Sequence, residues 1–231
     1  MRTGVDAMRA EQLAAMIEHT LLKAEATDEQ VDRLCDEAAR GRFHAVCVNP
    51  CWIRRCAARI GRTNVVVAGV VGFPLGAHRT DTKVDEARRA IEDGAGELDM
   101  VIALGPLIAG DDRSVSDEIA AVADVAHAAD PAVLLKVILE TAALTDAQIE
   151  RACRLSVEAG ADMLKTSTGF HPAGGARVEH VRLLKTHGRG RGVKAAGGIR
   201  TAANALAMVE AGATRIGTSA GPALIEGLPV R

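Results

Sequence analysis

EAGADMLK, residues 158–165, is one of three segments with a shared pattern, and EDGAGELD (residues 92–99) and EAGATRIG (residues 210–217) align with it without a gap. Each segment has the pattern of a helix end, a glycine that caps it, and the start of a strand. Repeated helix-to-strand units predict a parallel sheet. The last aligned residues, Asp99, Lys165 and Gly217, are therefore expected at one level of that sheet.

Helix and strand signals continue along the whole chain and predict a (β/α)8 TIM barrel with eight parallel strands. The remaining strand candidates are residues 16–18, 43–48, 65–71, 133–139 and 192–196. Capping boxes formed by Thr27 with Gln30 and by Thr145 with Gln148 predict the starts of two helices. We expect one barrel domain over residues 1–231, a short N-terminal helical extension with a mobile lead-in at residues 1–12, and a polar loop at residues 111–116.

The composition argues against several classes of protein. The chain has 231 residues, of which 48% are hydrophobic and 25% charged, as is typical of a soluble globular domain. A net charge of −2, with three Phe, one Trp and no Tyr, argues against a nucleic-acid-binding surface. The longest aliphatic run, residues 65–71, is too short to span a membrane, and the N-terminus has no apolar signal segment. The five cysteines contain no C-x-x-C pair, which indicates free thiols and a cytoplasmic protein.

Lys165 lies where a short apolar run meets a polar turn, in MLKTSTGF at residues 163–170. Lysines at such positions more commonly reach solvent or pair with a carboxylate. Lys194, which interrupts a second apolar strand, favours another interpretation, in which Lys165 is a nucleophile toward a carbonyl. Only roughly one free lysine in a few thousand is neutral at pH 7, and a nearby ammonium together with partial burial favours the neutral form. Asp99 could then transfer protons through Lys194 or water.

Glycine-rich loops after the last two strands predict a phosphate site. Residues 197–198 are Gly-Gly, and residues 217–221 are Gly-Thr-Ser-Ala-Gly. Backbone N–H groups in these loops lie beside helix N-termini, and the loops after strands 7 and 8 commonly hold phosphate in such barrels. Thr218 and Ser219 are therefore candidate contacts. We add Thr166, and also Cys47, for which a place in the core is the simpler interpretation.

Five ordered motifs together resemble deoxyribose-phosphate aldolase, a family of class I aldolases with a (β/α)8 fold. The motifs are MLKTSTGF, VKAAGGIRT, CVNP, ELDMV and KVILET, and the resemblance runs from about residue 17 to about residue 219. It implies that Lys165 forms a Schiff base, that Lys194 tunes it, and that Asp99 relays protons. It also implies that a further lysine, Lys136, has an electrostatic role in the pocket. Finally, it implies backbone contacts to the phosphate at Gly169, Gly197, Gly198 and Ser219.

The resemblance implies a carbon–carbon lyase that reversibly cleaves 2-deoxy-D-ribose 5-phosphate to D-glyceraldehyde 3-phosphate and acetaldehyde, in deoxynucleoside breakdown. No metal or other cofactor is expected, because the imine carries the chemistry and the sequence has no H-x-H or HExxH cluster. Family members are usually dimers or tetramers, so a homodimer or homotetramer is expected. The expected partner is a small phosphosugar, and we expect neither nucleic acid nor membrane as a partner.

The sequence departs from the family pattern in three places, and two alternatives stay open. Glu18 stands where the family usually has Asp, Phe170 replaces a lysine found in some members, and the chain lacks their C-terminal tyrosine. Another class I phospho-sugar aldolase would share Lys165 and the phosphate loops, but would not need the second lysine. A non-catalytic phosphosugar-binding barrel is the other alternative, and the presence of Lys165, Lys194 and Asp99 argues against it.

Overall fold

Eight parallel strands form the centre of the computed structural model, which describes residues 8–228. Consecutive strands pair with each other and β8 pairs with β1, so the sheet is closed. This confirms the predicted (β/α)8 TIM barrel. The strands are β1 (Ile17–Leu21), β2 (Ala45–Val48), β3 (Val66–Val71), β4 (Glu97–Val101), β5 (Leu134–Ile138), β6 (Met163–Lys165), β7 (Gly192–Ala196) and β8 (Arg215–Thr218).

Helices surround the barrel and connect its strands. They are α1 (Ala10–Ala14), α2 (Asp28–Gly41), α3 (Ile53–Ile60), α4 (Thr80–Glu92), α5 (Leu104–Ala109), α6 (Asp112–His127), α7 (Asp146–Glu158), α8 (Val178–His187), α9 (Ala202–Glu210) and α10 (Gly221–Glu226). Short 3-10 helices cover Pro50–Trp52 and Thr141–Ala143. Helix α1 is the predicted N-terminal extension and includes residues 10–12 of the predicted lead-in, whereas residues 1–7 lie outside the described residues. Within residues 8–228, every helix is too short or too polar to cross a lipid bilayer.

The three repeated segments have the local structure that their sequence predicts. Gly94, Gly160 and Gly212 follow α4, α7 and α9, and their φ angles of 103°, 102° and 113° lie in the left-handed region that favours glycine. Each glycine ends a helix two to four residues before the next strand begins. The predicted capping boxes at the starts of α2 and α7 are also present.

The predicted polar loop at residues 111–116 is wrong, because helix α6 begins inside it. Asp111 is the N-cap, and its side chain accepts a hydrogen bond from the backbone N–H of Ser114 at 3.1 Å. Asp and Ser are favoured at helix N-caps as well as in loops, since their side chains replace missing backbone partners in both. Val115 and Ile119 then bury the apolar side of the helix.

The pairing register shows which side chains fill the barrel. Asp99 on β4 pairs with Lys136 on β5, which pairs with Met163 on β6, two residues before Lys165. Because this stagger repeats around a barrel, alternate strands contribute side chains to one layer. The upper layer, toward the carboxyl ends of the strands, holds Cys47, Asp99, Lys165 and Gly217; the middle layer holds Glu18, Ala68, Lys136 and Lys194; the lower layer holds Ala45, Glu97, Met163 and Arg215. The common level expected for Asp99, Lys165 and Gly217 is confirmed.

Candidate active site

Asp99 is fully buried at the centre of the barrel, where β4 places it in the upper layer. Its Oδ2 atom accepts hydrogen bonds from Lys165 Nζ and Lys194 Nζ, each at 2.6 Å. Its Oδ1 atom accepts one from Lys136 Nζ at 2.8 Å. Hydrogen bonds between charged groups are stronger than neutral ones. The three lysines predicted from sequence therefore converge on one carboxylate.

Two more carboxylates complete this cluster. Glu18 Oε2 accepts a hydrogen bond from Lys194 and lies 3.3 Å from Lys136 Nζ. Glu97 Oε2 lies 2.5 Å from Lys136 Nζ. We refer to the six residues together as the buried charge network: Glu18, Glu97, Asp99, Lys136, Lys165 and Lys194. Three carboxylates balance three ammonium groups, so the network is neutral when every member is ionised. Glu18, which departs from the family's usual Asp, bridges two of the lysines.

The electrostatics of the network keep most of its members ionised. Burial alone would raise the pKa of Asp99, but the charges of the three lysines outweigh it and hold that pKa well below its usual range. Burial alone would lower the pKa of Lys136 and of Lys194. The carboxylates of Asp99 and Glu18 outweigh this and raise both pKa values. The side chain of Lys194 therefore stays protonated, and it shares the Oδ2 atom of Asp99 with Lys165.

Gly217 gives Lys194 the room to reach this position. A Cβ atom at Gly217 would lie 3.1 Å from Lys194 Cε and 2.9 Å from Ala196 Cβ. Contacts this short require the neighbours to move. The glycine at position 217, which the repeat aligns with Asp99 and Lys165, therefore leaves the space that the Lys194 side chain occupies.

A cavity of about 210 Å³ opens above the network at the carboxyl ends of the strands. Lys165 is the network residue that lines it, with a side chain that is 3% exposed. The rest of the lining comes from the ends of β1, β6, β7 and β8: Thr20, Leu21, Leu22, Lys23, Thr168, Gly169, Phe170, Ala196, Gly197, Gly198, Ile199, Arg200, Gly217, Thr218 and Ser219. A ligand in the cavity would meet the Lys165 amine, which lies 2.6 Å from Asp99 Oδ2.

One wall of the cavity is built from the predicted phosphate contacts. Gly169, Gly197 and Gly198 have φ angles of 85°, 95° and 81°, which glycine adopts without steric cost. The loops after β6 and β7 also pack closely, because a Cβ atom on Gly197 would lie only 3.0 Å from Gly175 Cα. Backbone therefore forms most of this wall, and Thr218 and Ser219 continue it. Backbone N–H groups of glycine turns are suited to binding an anion.

Three predicted substrate contacts, Thr166, Cys47 and Lys136, lie outside the cavity lining. Thr166 Oγ1 joins β6 to β7 by hydrogen bonds with the backbone of Ala196 at 3.1 and 3.2 Å. Cys47 is fully buried with Sγ 3.9 Å from Asp99 Oδ2, and burial raises the pKa of its thiol. Lys136 lies in the layer below. A direct substrate contact by any of the three stays a prediction.

Several residues that shape the cavity were not predicted from the sequence. Glu140, with a φ angle of 54°, is buried, and its carboxylate accepts hydrogen bonds from the backbone N–H and the hydroxyl of Thr168. It thereby orients the turn that contains Gly169. The exposed cations Lys23 and Arg200 line the mouth. Their signals were available, because Glu140 lies in KVILET and Arg200 in VKAAGGIRT.

This arrangement is suited to covalent chemistry on a carbonyl compound that carries an anionic group. An amine at the cavity floor is held by a carboxylate and has a second ammonium as its neighbour, which are features of an activated lysine nucleophile. The glycine wall offers a place for the anion. Among residues 8–228, no group of three or more His, Cys, Asp and Glu side chains is arranged to hold a metal ion.

Comparison with known proteins gives concordant similarities. A family model for the DeoC/LacD family aldolases matches residues 8–226. The deoxyribose-phosphate aldolase of Thermococcus gammatolerans is 53% identical over 218 residues, which cover 93% of this chain and 96% of that relative. Deoxyribose-phosphate aldolase 1 of Bacillus licheniformis is 50% identical over 218 residues, covering 94% and 96%. The tetrameric deoxyribose phosphate aldolase of Aeropyrum pernix has a TM-score of 0.86 at 34% identity, covering 94% of this chain and 91% of that one.

Proposed function

The chain belongs to the DeoC/LacD family of aldolases, and from this membership we propose that it reversibly cleaves 2-deoxy-D-ribose 5-phosphate to D-glyceraldehyde 3-phosphate and acetaldehyde. This is the activity of a carbon–carbon lyase. One observation of the site carries the proposal: the amine of Lys165 lines the cavity and lies 2.6 Å from Asp99 Oδ2, which also binds Lys194.

The first half of the proposed reaction forms an imine. The neutral amine of Lys165 attacks C1 of the open-chain sugar, and the carbinolamine loses its hydroxyl as water to give a protonated imine. The proton that the amine must first lose has a short path, because Asp99 Oδ2 lies within hydrogen-bond distance of both Lys165 and Lys194.

The second half uses the protonated imine as an electron sink. The C3 hydroxyl gives its proton to water or Asp99, the C2–C3 bond breaks, and its electron pair forms the C1–C2 double bond. The π electrons of the imine return to the Lys165 nitrogen, which gives an enamine. D-Glyceraldehyde 3-phosphate leaves with C3 as its aldehyde carbon. Protonation of the enamine at C2 and attack by water on the new imine release acetaldehyde and restore the Lys165 amine.

We assign different roles to the two groups beside Lys165. Lys194 keeps its proton because its pKa is raised, so it is the positive neighbour that favours the neutral amine on Lys165. Asp99, with its low pKa, holds a proton only in passing. It orients the two amines and passes protons between Lys165, Lys194 and water. These groups, with water, are also the proposed route for enamine protonation, because the chain has no tyrosine.

We assign the 5-phosphate to the glycine wall. The predicted contacts Gly169, Gly197, Gly198, Thr218 and Ser219 lie together along the cavity that Lys165 enters. Lys23 and Arg200 at the mouth add positive charge that favours an anionic substrate. The phosphate would thus hold the sugar with its C1 end directed at the amine.

We further propose a homodimer or homotetramer without a bound cofactor, acting in the cytoplasm in deoxynucleoside breakdown. The tetrameric relative from Aeropyrum pernix supports an oligomer. The cysteines are free, as expected of a reducing compartment. The covalent imine with Lys165 accounts for the chemistry without a cofactor.

The proposed function is tested by substrate comparison. The purified chain is given 2-deoxy-D-ribose 5-phosphate, D-ribose 5-phosphate or unphosphorylated 2-deoxy-D-ribose, and aldehyde product is followed by coupled reduction. We expect the first compound to give the highest kcat/KM, and Lys165→Met to abolish turnover while Lys185→Met, at an exposed position on α8, retains it. Faster cleavage of another phosphosugar would show a different aldolase, and binding without cleavage would show a binding protein.

A further inference from the structure

A continuous file of polar contacts crosses the barrel from its lower face to the cavity. His44 Nε2 lies 2.7 Å from Glu97 Oε1, and Glu97 Oε2 lies 2.5 Å from Lys136 Nζ. Lys136 Nζ donates to Asp99 Oδ1 at 2.8 Å, and Lys165 Nζ donates to Asp99 Oδ2 at 2.6 Å. The interior of this barrel therefore joins the proposed catalytic amine to a histidine at the opposite end.

The lower end of the file meets solvent, and its other members are buried. His44 immediately precedes β2, and its side chain is 21% exposed. It lines a depression on the lower face with Arg42, Thr63 and Asn64. The inner members, Glu97, Lys136 and Asp99, are buried. His44 is thus the member of the file that can exchange a proton with water at the lower face.

Charge counting shows why a proton there would matter at the cavity. The buried charge network is neutral when its three carboxylates and three ammonium groups are ionised. Loss of a proton from Lys165, which imine formation requires, leaves a net charge of −1 among buried groups. A protonated His44, in contact with Glu97, restores neutrality. A positive charge at His44 therefore favours the neutral amine at Lys165.

Charged groups on other elements lie at the same end of the barrel as His44. Glu97 on β4 faces His44 directly. Burial alone would raise the pKa of Glu97, but His44 and Lys136 outweigh this effect and lower that pKa to about 2. Arg42 lies in the same depression, and Arg215 on β8 belongs to the same lower layer as Glu97. Arginine side chains in general do not titrate in proteins, whereas an ordinary histidine changes charge near pH 6.5.

We propose that His44 is a positioning residue that sets the charge of the buried network from the lower face and so maintains aldolase activity at acid pH. The inference rests on the proposed aldolase function. When His44 is protonated, Lys165 loses its proton more readily, which offsets part of the loss of neutral amine as pH falls. A unit charge on the order of 10 Å away, at an effective dielectric constant of about 20, changes such an equilibrium by roughly tenfold.

The test compares pH profiles of kcat/KM for wild type, His44→Gln and a matched control. Glutamine can donate to Glu97 but carries no charge. We expect kcat/KM of His44→Gln to be about three- to tenfold below wild type at pH 5.5 and close to it at pH 8.5. The control is His127→Gln, whose histidine pairs with Asp162 on the surface outside the network, and it should follow wild type throughout. Equal profiles for wild type and His44→Gln, or a ratio that does not change with pH, would overturn the proposal.

A second measurement does not need turnover. Coupling is reciprocal, so removal of the Lys165 ammonium should move the titration of His44, followed by NMR of its ring, to higher pH. Lys165→Met is compared with Lys185→Met, which should not move it. If the wild type cleaves no deoxyribose 5-phosphate but the His44 titration still shifts in Lys165→Met, the coupling is established and only the proposed substrate is rejected. An unchanged His44 titration would reject the coupling, whatever the activity.

Discussion

Replacement of Asp99 by Asn removes the carboxylate on which Lys136, Lys165 and Lys194 converge, with little change of shape. Three ammonium groups would then face only the carboxylates of Glu18 and Glu97. The amide nitrogen of Asn cannot accept a hydrogen bond, so at least one lysine loses its partner. The variant thus leaves an uncompensated positive charge in a sealed barrel.

The structure gives a magnitude for this change. Removal of one partner from a buried ion pair typically costs about 3–5 kcal/mol of unfolding free energy. For a chain of this size, that corresponds to a decrease in Tm of about 6–20 °C. The pKa values of Lys136 and Lys194 are raised by Asp99, so the stability they contribute is fully present below their ordinary pKa near 10 and is lost progressively as pH rises from there through the raised values. The difference between wild type and variant should therefore narrow above about pH 10.

The assay is urea unfolding followed by circular dichroism at pH 6, 7.5 and 11, together with kcat on deoxyribose 5-phosphate at pH 7.5. We expect Asp99→Asn to reduce kcat by roughly 10²- to 10⁴-fold, as is typical of a lost proton-transfer group. The control is Asp36→Asn, which breaks a half-exposed pair with Arg59 and should cost about 1 kcal/mol or less. Equal stability losses in the two variants, or an Asp99→Asn loss that is the same at every pH, would refute this reasoning.

Three further predictions concern the cavity and the network. Gly217→Ala should lower stability by about 1–3 kcal/mol and reduce kcat, because its Cβ would displace Lys194. In unfolding and rate assays the control Gly105→Ala, at a helical position with nothing within 4 Å, should leave kcat unchanged and should not lower stability. Glu140→Gln should raise KM for deoxyribose 5-phosphate several-fold and leave KM for unphosphorylated deoxyribose unchanged, since it loosens the turn that holds Gly169; equal effects on both substrates would contradict this. Burial alone would raise the pKa of Glu97, but its histidine and lysine partners outweigh this and lower the pKa from about 4.5 to about 2. About 3 kcal/mol of stability should therefore be lost as pH falls through that range. Acid unfolding of Glu97→Gln should lack this loss, and parallel curves would disprove it.

The fold was predictable because its signals are local. The glycines after α4, α7 and α9 end helices for steric reasons that act within a few residues, so the three repeats identify three helix-to-strand units directly. The capping boxes at Thr27 and Thr145 act over the same short range. The start of α6 was missed because the composition of residues 111–116 suits both a loop and a helix N-terminus, and only the packing of Val115 and Ile119 selects the helix.

Part of the site was predictable from local spacing because that spacing coincides with a layer of the barrel. Asp99 and Lys165 occupy aligned positions of the repeat, so they share a layer and meet. The contacts of Glu18 with two lysines and of His44 with Glu97 depend on the stagger between distant strands, which no local pattern encodes. Glu140 was missed for a related reason, because its partner Thr168 follows a different strand.

The imine on Lys165 is most directly tested by borohydride reduction in the presence of deoxyribose 5-phosphate or acetaldehyde, followed by peptide mass mapping. Wild type, Lys165→Ala and Lys194→Ala are treated in parallel. We expect a stable adduct on the peptide that contains Lys165 in wild type and no adduct in Lys165→Ala. An adduct on the Lys194 peptide instead, or no adduct while the phosphosugar still binds, would contradict the assignment of Lys165 as the nucleophile.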